Sequence, residues 1–309
     1  MRPRQLIQFL AVCRLGSMSA AAKELGIAQP ALSKQISQLE HELQAKLFER
    51  HSRGVAPTKA GEKLREEAAD LIRRLDSIKH AIHDADNEVA GSVTLAVITS
   101  LAAALAVELY PRVERRHPRL SLHIVDRTSD GARDALLRHE VDLAIIPNVA
   151  TDLPKAASIP LFEESFQFIS RASSFARPRS LTLAEAAAQP LVLPFHSHDL
   201  RRRIEETARA TGVTLNVKYE TSSINVIGRL VEEGLACSIV PTTFWLDKIG
   251  AGLIAAQQLT SPGISRVHSL CWMADTAISP AVSTMRELIR SEVAAMLAVG
   301  KLSGAPSFQ

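Results

Sequence analysis

Aromatic residues and cysteines are scarce in this chain. Phe, Tyr and Trp together make up 4% of it, and three of its 309 residues are cysteine. Cys13, Cys237 and Cys271 lie far apart and are odd in number, which argues against a disulfide framework and against metal-ligand spacing. A reducing compartment, the cytoplasm, fits that usage. Long hydrophobic runs are also missing. The most apolar stretch, Val93 to Val107, is interrupted by Thr94, Thr99 and Ser100 and closed by Glu108, short of the about 18 residues that a membrane span needs. Arg2 and Arg4 imitate the start of a secretion signal, but Gln5 and Gln8 break the apolar stretch behind them and Arg14 ends it. The chain lacks a Gly-rich phosphate loop, a nucleophile elbow, and HExxH or CxxC spacing, so neither enzymatic activity nor a cofactor or metal is expected.

What is present is an ordinary globular composition, 46% hydrophobic and 22% charged. At 309 residues the chain exceeds what one core usually supports, so two or more domains are expected. The net charge of +3 is unevenly spread. Residues 1–60 hold nine Lys/Arg against four Glu, an excess of five, and the remainder is acidic by two. Basic charge gathered at one end suits a polyanion partner for that end, although a solvated face would carry the same charge.

The first sixty residues read as three short helices and a hairpin. Leu6, Phe9, Leu10 and Cys13 recur at helical spacing before Gly16. Ser17 and Ser19 can cap a second helix whose Ala20, Ala21 and Ala22 allow close packing, with Leu25-Gly26 at its end. Pro30 opens a third helix, where its missing N–H has no intrahelical partner to lose. Leu32, Ile36, Leu39 and Leu43 form one buried stripe on it, while Gln29, Ser33, Lys34 and Gln38 project elsewhere. A helix anchored by one face, with a donor-bearing N-terminal face left over, is what a DNA major groove accepts. Gly54 permits a tight turn between two short strands, a wing flanked by Arg50 and Arg53.

The run GSMSAAAKELGIAQPALSKQISQLEHELQAKLFERHSRGVAPTKAGE, Gly16 to Glu62, resembles the winged helix-turn-helix of LysR-type transcriptional regulators, with order and spacing intact. The resemblance places Gln29, Pro30, Ser33 and Lys34 at DNA-contact positions and Arg53 where the wing meets the backbone or minor groove. Arg50 and Thr58 complete the candidate set. Many members carry arginine where this chain has Lys34. Lysine cannot offer guanine the same two-pronged contact, so a phosphate contact is as compatible with that position as base reading.

From Thr58 to Val89, the residues Leu64, Ala68, Leu71, Leu75, Ile78, Ile82, Ala85 and Val89 alternate at spacings of four and three, a heptad seam. A second copy of the same helix is the simplest cover for it, and packing on its own domain is the alternative. The resemblance implies a homodimer through this linker helix, a pseudo-palindromic double-stranded DNA site, and pairing of dimers into tetramers.

Beyond Gly91-Ser92, strand and helix patterns alternate, the texture of open α/β sheets. Strands are expected at Val93–Val97, Leu122–Arg127, Leu143–Ile146, Phe166–Ser170, Leu191–Phe195, Leu215–Glu220, Ser238–Val240 and Val267–Met273. Thr182 and Glu185 form a capping box, and Ser279-Pro280 opens a last long helix. Hydroxyls at strand-to-helix junctions beside exposed helix N–H groups suit a small anion, and ordinary capping explains each of them equally well. The segments RHEVDLAII and VEEGLACSIVP fit the pattern of the LysR-type effector region, and the texture resembles the nitrogen-assimilation-control type.

The implied fold is α/β, with an all-α winged helix-turn-helix N-terminal domain and a C-terminal region of two subdomains like those of periplasmic binding proteins. The expected divisions are a DNA-binding domain at 1–58, a linker helix at 59–90 and a regulatory domain at 91–309. Within the last, subdomain I takes about 91–161 and 267–300, and subdomain II about 162–266. A small-molecule effector is expected between them, near Thr99, Ser100, Thr128, Ser129, His196 and Ser222. Arg201-Arg202-Arg203 reads as a solvated helix face. RNA polymerase is a further expected partner, and the cytoplasmic nucleoid of a bacterium the expected location.

Overall fold

The structure, a computed structural model, describes residues 1–51, 54–83, 89–149, 153, 156–174, 180–196, 198–274 and 278–307. The N-terminal module begins with α1 (Pro3–Leu15), ended by Gly16 at φ 60. Ser17 caps α2 (Met18–Glu24) by accepting from the Ala20 N–H at 3.3 Å. Next come α3 (Gln29–Leu43) and the antiparallel hairpin of β1 (Phe48–His51) and β2 (Gly54–Pro57). Phe9, Val12, Ala21, Leu32, Ile36, Leu39, Leu47 and Phe48 form one core, with the Phe9 and Phe48 rings 5.2 Å apart. Leu43, the expected fourth member of the α3 stripe, is 38% exposed, because the last turn overhangs this core and the helix stops at Gln44.

Glu40 sets the turn from α3 into the wing. Its carboxylate accepts from the N–H groups of Leu47 (2.9 Å) and Phe48 (3.4 Å) and from Lys46 Nζ (2.8 Å). Partial burial alone would raise its pKa, but these donors hold it below the ordinary carboxylate value. Gly54 is the first residue of β2, opposite His51, at φ 136, and a Cβ there would collide with the Gly16 carbonyl oxygen. The neighbouring Val55 N–H donates to that same oxygen at 2.9 Å, fixing the wing against the α1–α2 turn.

Helix α4 spans Lys59–His83. Its first seam positions serve their own module: Ala68 is buried and Leu64 packs against the N-terminal core. The outward part of the seam begins at Leu71, which is 41% exposed. Ala85 lies outside the described residues.

In the C-terminal region, β3 (Gly91–Ile98) lies between its parallel neighbours β4 (Leu120–Arg127) and β5 (Leu143–Pro147), linked by α5 (Thr99–Arg116) and α6 (Ser129–Leu137). The chain then enters β6 (Ala156–Arg171). A second series follows: β7 (Leu181–Thr182), α7 (Leu183–Ala187), β8 (Leu191–Leu193), α8 (Asp199–Ala210), β9 (Val217–Glu220), α9 (Ile224–Glu232), β10 (Ser238–Pro241), α10 (Leu246–Gly250) and β11 (Ile254–Thr260). The return strand β12 (Ser265–Met273), α11 (Pro280–Ala298) and β13 (Ala305–Pro306) complete it. Thr182 and Glu185 do form a capping box, and Ser279 caps α11 through the Val282 N–H.

Strand β6 joins the two subdomains. Its Ala156–Ser165 portion pairs antiparallel with β12, and its Phe166–Arg171 portion pairs with β10 and β11. Only the second portion is expected as strand from its sequence. Pro160 and two glutamates disguise the first, and the proline is accommodated because the pairing slips beside it, Leu161 being skipped between Phe162↔His268 and Pro160↔Ser269. On the first subdomain, α11 buries Met285, Leu288, Ile289, Val293 and Met296 in a core shared with β3 and α5, each worth about 1.5–3 kcal/mol. The second subdomain has separate cores around Phe166, Phe168 and Leu191 and around Ile169, Val192 and Trp245. Among the described residues no helix is long and apolar enough to cross a membrane.

Candidate functional site

The polar start of α3 lies on the surface. Gln29, Pro30 and Lys34 are exposed and Ser33 is half-buried, while Leu32, Ile36 and Leu39 anchor the opposite face. Ala28 precedes the helix and supplies no side-chain cap, so the positive end of the helix dipole faces outward. Arg50 sits on the wing strand opposite Val55, and Arg53 falls outside the described residues. Thr58 acts locally. Its hydroxyl donates to the Lys46 carbonyl at 2.6 Å and accepts from the Gly61 N–H at 3.1 Å, capping α4.

The parallel pairing of β3 and β4 brings two junctions together. Thr99 opens α5, and its hydroxyl donates to Asp126 Oδ1 at 2.6 Å. Thr128 caps α6 by accepting from the Gly131 N–H at 3.1 Å, with Ser129 first in that helix. The second subdomain supplies less of a converging set. Ser222 is exposed, and its neighbour Ser223 is the residue that caps α9. His196 turns its ring toward Glu205 (2.8 Å) and Glu220 (3.7 Å) and lines an open cavity of 540 Å³ with Arg201, Arg209 and Leu215.

The arginine triplet is not a uniformly solvated face. Arg201 is buried, bonded to Glu205, Glu220 and the Pro194 carbonyl. Arg203 donates to the Ser265 carbonyl at 3.1 Å, and Arg202 reaches across to Asp130 on α6 at 3.6 Å. Three successive positions of a helix point in three directions, and here each direction meets an acceptor.

Between the subdomains lies a buried charge cluster that the sequence patterns do not single out. Arg266 on β12 stands directly opposite Glu164 on β6, and both are buried. Arg266 Nη2 donates to Glu164 Oε2 and to Ser100 Oγ, each at 3.0 Å. His268, two residues along the same strand face, places Nε2 3.0 Å from Glu164 Oε2 and stacks on Phe162 at 4.6 Å. Glu164 Oε1 accepts from the Thr243 hydroxyl (2.5 Å) and N–H (3.3 Å), in the turn that follows β10. Thr243 Oγ1 accepts in turn from the Ser303 N–H at 3.0 Å, in the C-terminal segment that leads to β13.

Burial would raise the Glu164 pKa, but the charge of Arg266 and the hydrogen bonds from His268 and Thr243 hold it down at about 2. Burial, with the Arg266 charge, lowers His268 to about 4, so the ring is neutral at physiological pH. A signal for this cluster exists in the sequence. Arg266 and His268 alternate with apolar residues in a strand that reads as buried, and a buried cation demands a paired anion. The sequence does not say which of its acids that is, because the pairing of β6 with β12 spans about a hundred residues.

Comparison with known proteins agrees with this architecture. Residues 3–62 match the family model described as bacterial regulatory helix-turn-helix protein, lysR family, and residues 86–294 match the LysR substrate binding domain. The chain is 26% identical over 291 residues to the nitrogen assimilation regulatory protein nac of Escherichia coli, covering 94% of each. It is 25% identical to the transcriptional regulator BbuR of Bordetella bronchiseptica, covering 97% of this chain and 92% of that one. Among solved structures, full-length OxyR from Pseudomonas aeruginosa superposes with a TM-score of 0.73 at 23% identity, over 95% of this chain and 94% of the other. CbnR complexed with its target DNA gives 0.63 at 20% identity, over 94% and 100%. The two matched models together span both halves of the molecule, and the chain belongs to the LysR family of DNA-binding transcriptional regulators, not to an enzyme family.

Proposed function

We propose that this regulator reads a pseudo-palindromic promoter site through the first turn of α3, as a dimer joined along α4, and that a small anionic effector in the cleft between its subdomains alters promoter binding or bending. The observation that carries the reading is the surface of exposed Gln29, Pro30 and Lys34 with half-buried Ser33, over the buried Leu32, Ile36 and Leu39. Leu71, projecting from α4 beyond the N-terminal core, is where a second copy would begin to pack. Residues 59–90 then serve as linker between a DNA-binding domain at 1–58 and a regulatory domain at 91–309. Pairing of dimers into tetramers, contact with RNA polymerase and residence at the nucleoid belong to the same reading.

Redox sensing through cysteine does not. Burial pushes Cys13 and Cys271 up to about 12 and Cys237 up to about 11, so none carries appreciable thiolate at neutral pH.

The test is a mobility shift on genomic fragments at two salt concentrations, followed by footprinting. Sequence-selective retardation that weakens with salt is expected, and Lys34→Ala should lower the salt slope by about one counterion. Retardation equal for all fragments would refute sequence reading by α3.

A further inference from the structure

We infer that the segment after α11, Lys301 to Ser307, is a strap across the hinge, anchored on the first subdomain and holding a turn of the second on the hinge floor, so that its release is what lets the subdomains part. The inference concerns how the cleft opens and does not depend on what occupies it.

The anchor lies on the first subdomain. Lys301 Nζ donates to Glu108 Oε1 on α5 at 2.6 Å, and Leu302 is buried in the core that α11 shares with β3 and α5. Beyond it the chain crosses to the hinge strand. Ala305 and Pro306 pair antiparallel with Glu163 and Phe162 of β6, on the edge opposite β12, which pairs with the same two residues. Gly304 permits this approach. At φ 148 it passes so close to β6 that a Cβ would stand 2.3 Å from the Glu163 carbonyl oxygen.

Between these two attachments, Ser303 reaches the second subdomain. Its N–H donates to Thr243 Oγ1 at 3.0 Å, and its hydroxyl oxygen accepts from Thr242 Oγ1 at 2.8 Å. Both threonines are buried in the turn after β10, and Thr243 donates to Glu164 through its hydroxyl and its N–H. The turn therefore cannot leave Glu164 without breaking its bonds to Ser303 or drawing Ser303, and β13 with it, off β6. Each attachment is modest alone. Joined by a few residues of chain, they act at a high effective concentration, and one broken bond re-forms before the others part. Whatever draws this segment off β6 frees the turn, which makes it a point of control over the cleft that lies outside the cleft.

The Thr243 N–H reports the release, because it is bonded to Glu164 across the hinge. The experiment follows its hydrogen exchange in the full chain by mass spectrometry at residue resolution, with the amides of β3 as a control for the fold. Thr242→Val and Ser303→Ala remove one hydrogen bond from opposite sides. Each should speed exchange at Thr243 about three- to tenfold, the worth of one neutral hydrogen bond. The double variant should exchange no faster than the faster single one, since both changes delete the same bond. Gly304→Val, whose nearest neighbours all belong to β6, should speed exchange at Thr243 by at least as much. Unchanged exchange at Thr243 in Gly304→Val, with β3 still protected, would overturn the inference. Exchange equal to wild type in both single variants, or effects that add in the double variant, would overturn it as well. If Gly304→Val strips protection from β3 too, it reports unfolding, and Thr242→Val with Ser303→Ala, which change little in shape, decide alone.

Discussion

Replacing Glu164 by Gln tests whether the buried charge cluster holds the two subdomains in register. The substitution keeps shape and an acceptor for Thr243 but removes the charge opposite Arg266. Two routes give the cost. Breaking one partner of a buried ion pair costs about 3–5 kcal/mol, because the other charge is left uncompensated. The carboxyl is held at about 2 against an ordinary 4.5, which corresponds to about 3 kcal/mol of native-state stabilisation at neutral pH. Glu164 is fully buried, so solvent screening takes little from that figure. Both Trp residues of the chain, Trp245 and Trp272, lie in the regulatory region, and Trp245 is two residues from Thr243. Their fluorescence during denaturant unfolding therefore reports on this region alone. A loss of about 3 kcal/mol is expected for Glu164→Gln, a fall of roughly 6–12 °C in Tm for a region of this size. The apolar pair Glu164→Leu with Arg266→Met removes the uncompensated charge but strands the Thr243 and His268 donors, so it should lose about 1–3 kcal/mol rather than recover wild-type stability. A Glu164→Gln midpoint indistinguishable from that of wild type would refute the reasoning, since an uncompensated guanidinium could not then be buried beside it.

Acid should weaken the regulatory region in two overlapping windows. His268 is held at about 4 against an ordinary 6.5, so its contribution is complete above 6.5 and lost as pH falls from 6.5 toward 4; Glu164 follows between 4.5 and about 2, and His268→Gln should flatten the upper window in a pH series of unfolding curves. Gly54→Ala, at φ 136 against the Gly16 carbonyl, should destabilise the N-terminal module by about 1–3 kcal/mol and weaken DNA binding more than Gly26→Ala, where φ is 65 but the space is open. Leu71→Asp with Leu75→Asp should raise the dimer dissociation constant by at least about thirtyfold, one buried leucine being worth about 2 kcal/mol, and an unchanged sedimentation profile would count against the α4 seam.

The N-terminal module is the most legible part of the sequence because its rules are local. A three- or four-residue hydrophobic period, a serine cap and glycines after helices mark α1, α2 and α3 nearly to the residue. Local rules also have limits. The heptad seam runs unbroken through Leu64, Ala68 and Leu71, yet the first two pack inward and the third outward. Periodicity records which face is apolar, not what covers it. β11 has no sequence signature because its Ala255, Ala256, Gln257 and Gln258 carry no strand preference; it exists because the edge of β6 offers it a ladder. Hydroxyls at junctions point to the candidate cleft, and Thr99, Ser100 and Thr128 do meet where β3 and β4 run side by side. Their charged support is not readable in that way. Glu164 and Arg266 are partners only once a long strand pairs across the hinge.

That placement bears on how the cleft can move. The floor is tied from both sides: Ser100 of the first subdomain and Thr243 of the second both bond the Glu164–Arg266 pair, and Ser303 bonds Thr242 and Thr243 from the C-terminal segment. The contact between α6 and α8 at Asp130 and Arg202 is of another kind, a 3.6 Å pair with both side chains more than 40% exposed, worth about 0–1 kcal/mol. Separating the subdomains bodily would break the Ser100–Arg266 and Thr243–Glu164 bonds, each to a charged group and worth about 1.5–3 kcal/mol. Bending about β6 and β12 can break that outer pair while keeping these two bonds. The low-cost motion is therefore a rim opening over a fixed floor, with the Ser100–Arg266 bond kept in both arrangements. An effector that bound at that floor would gain its differential affinity from what it touched on the second subdomain, and a difference of a few kcal/mol there would be enough to reverse the populations.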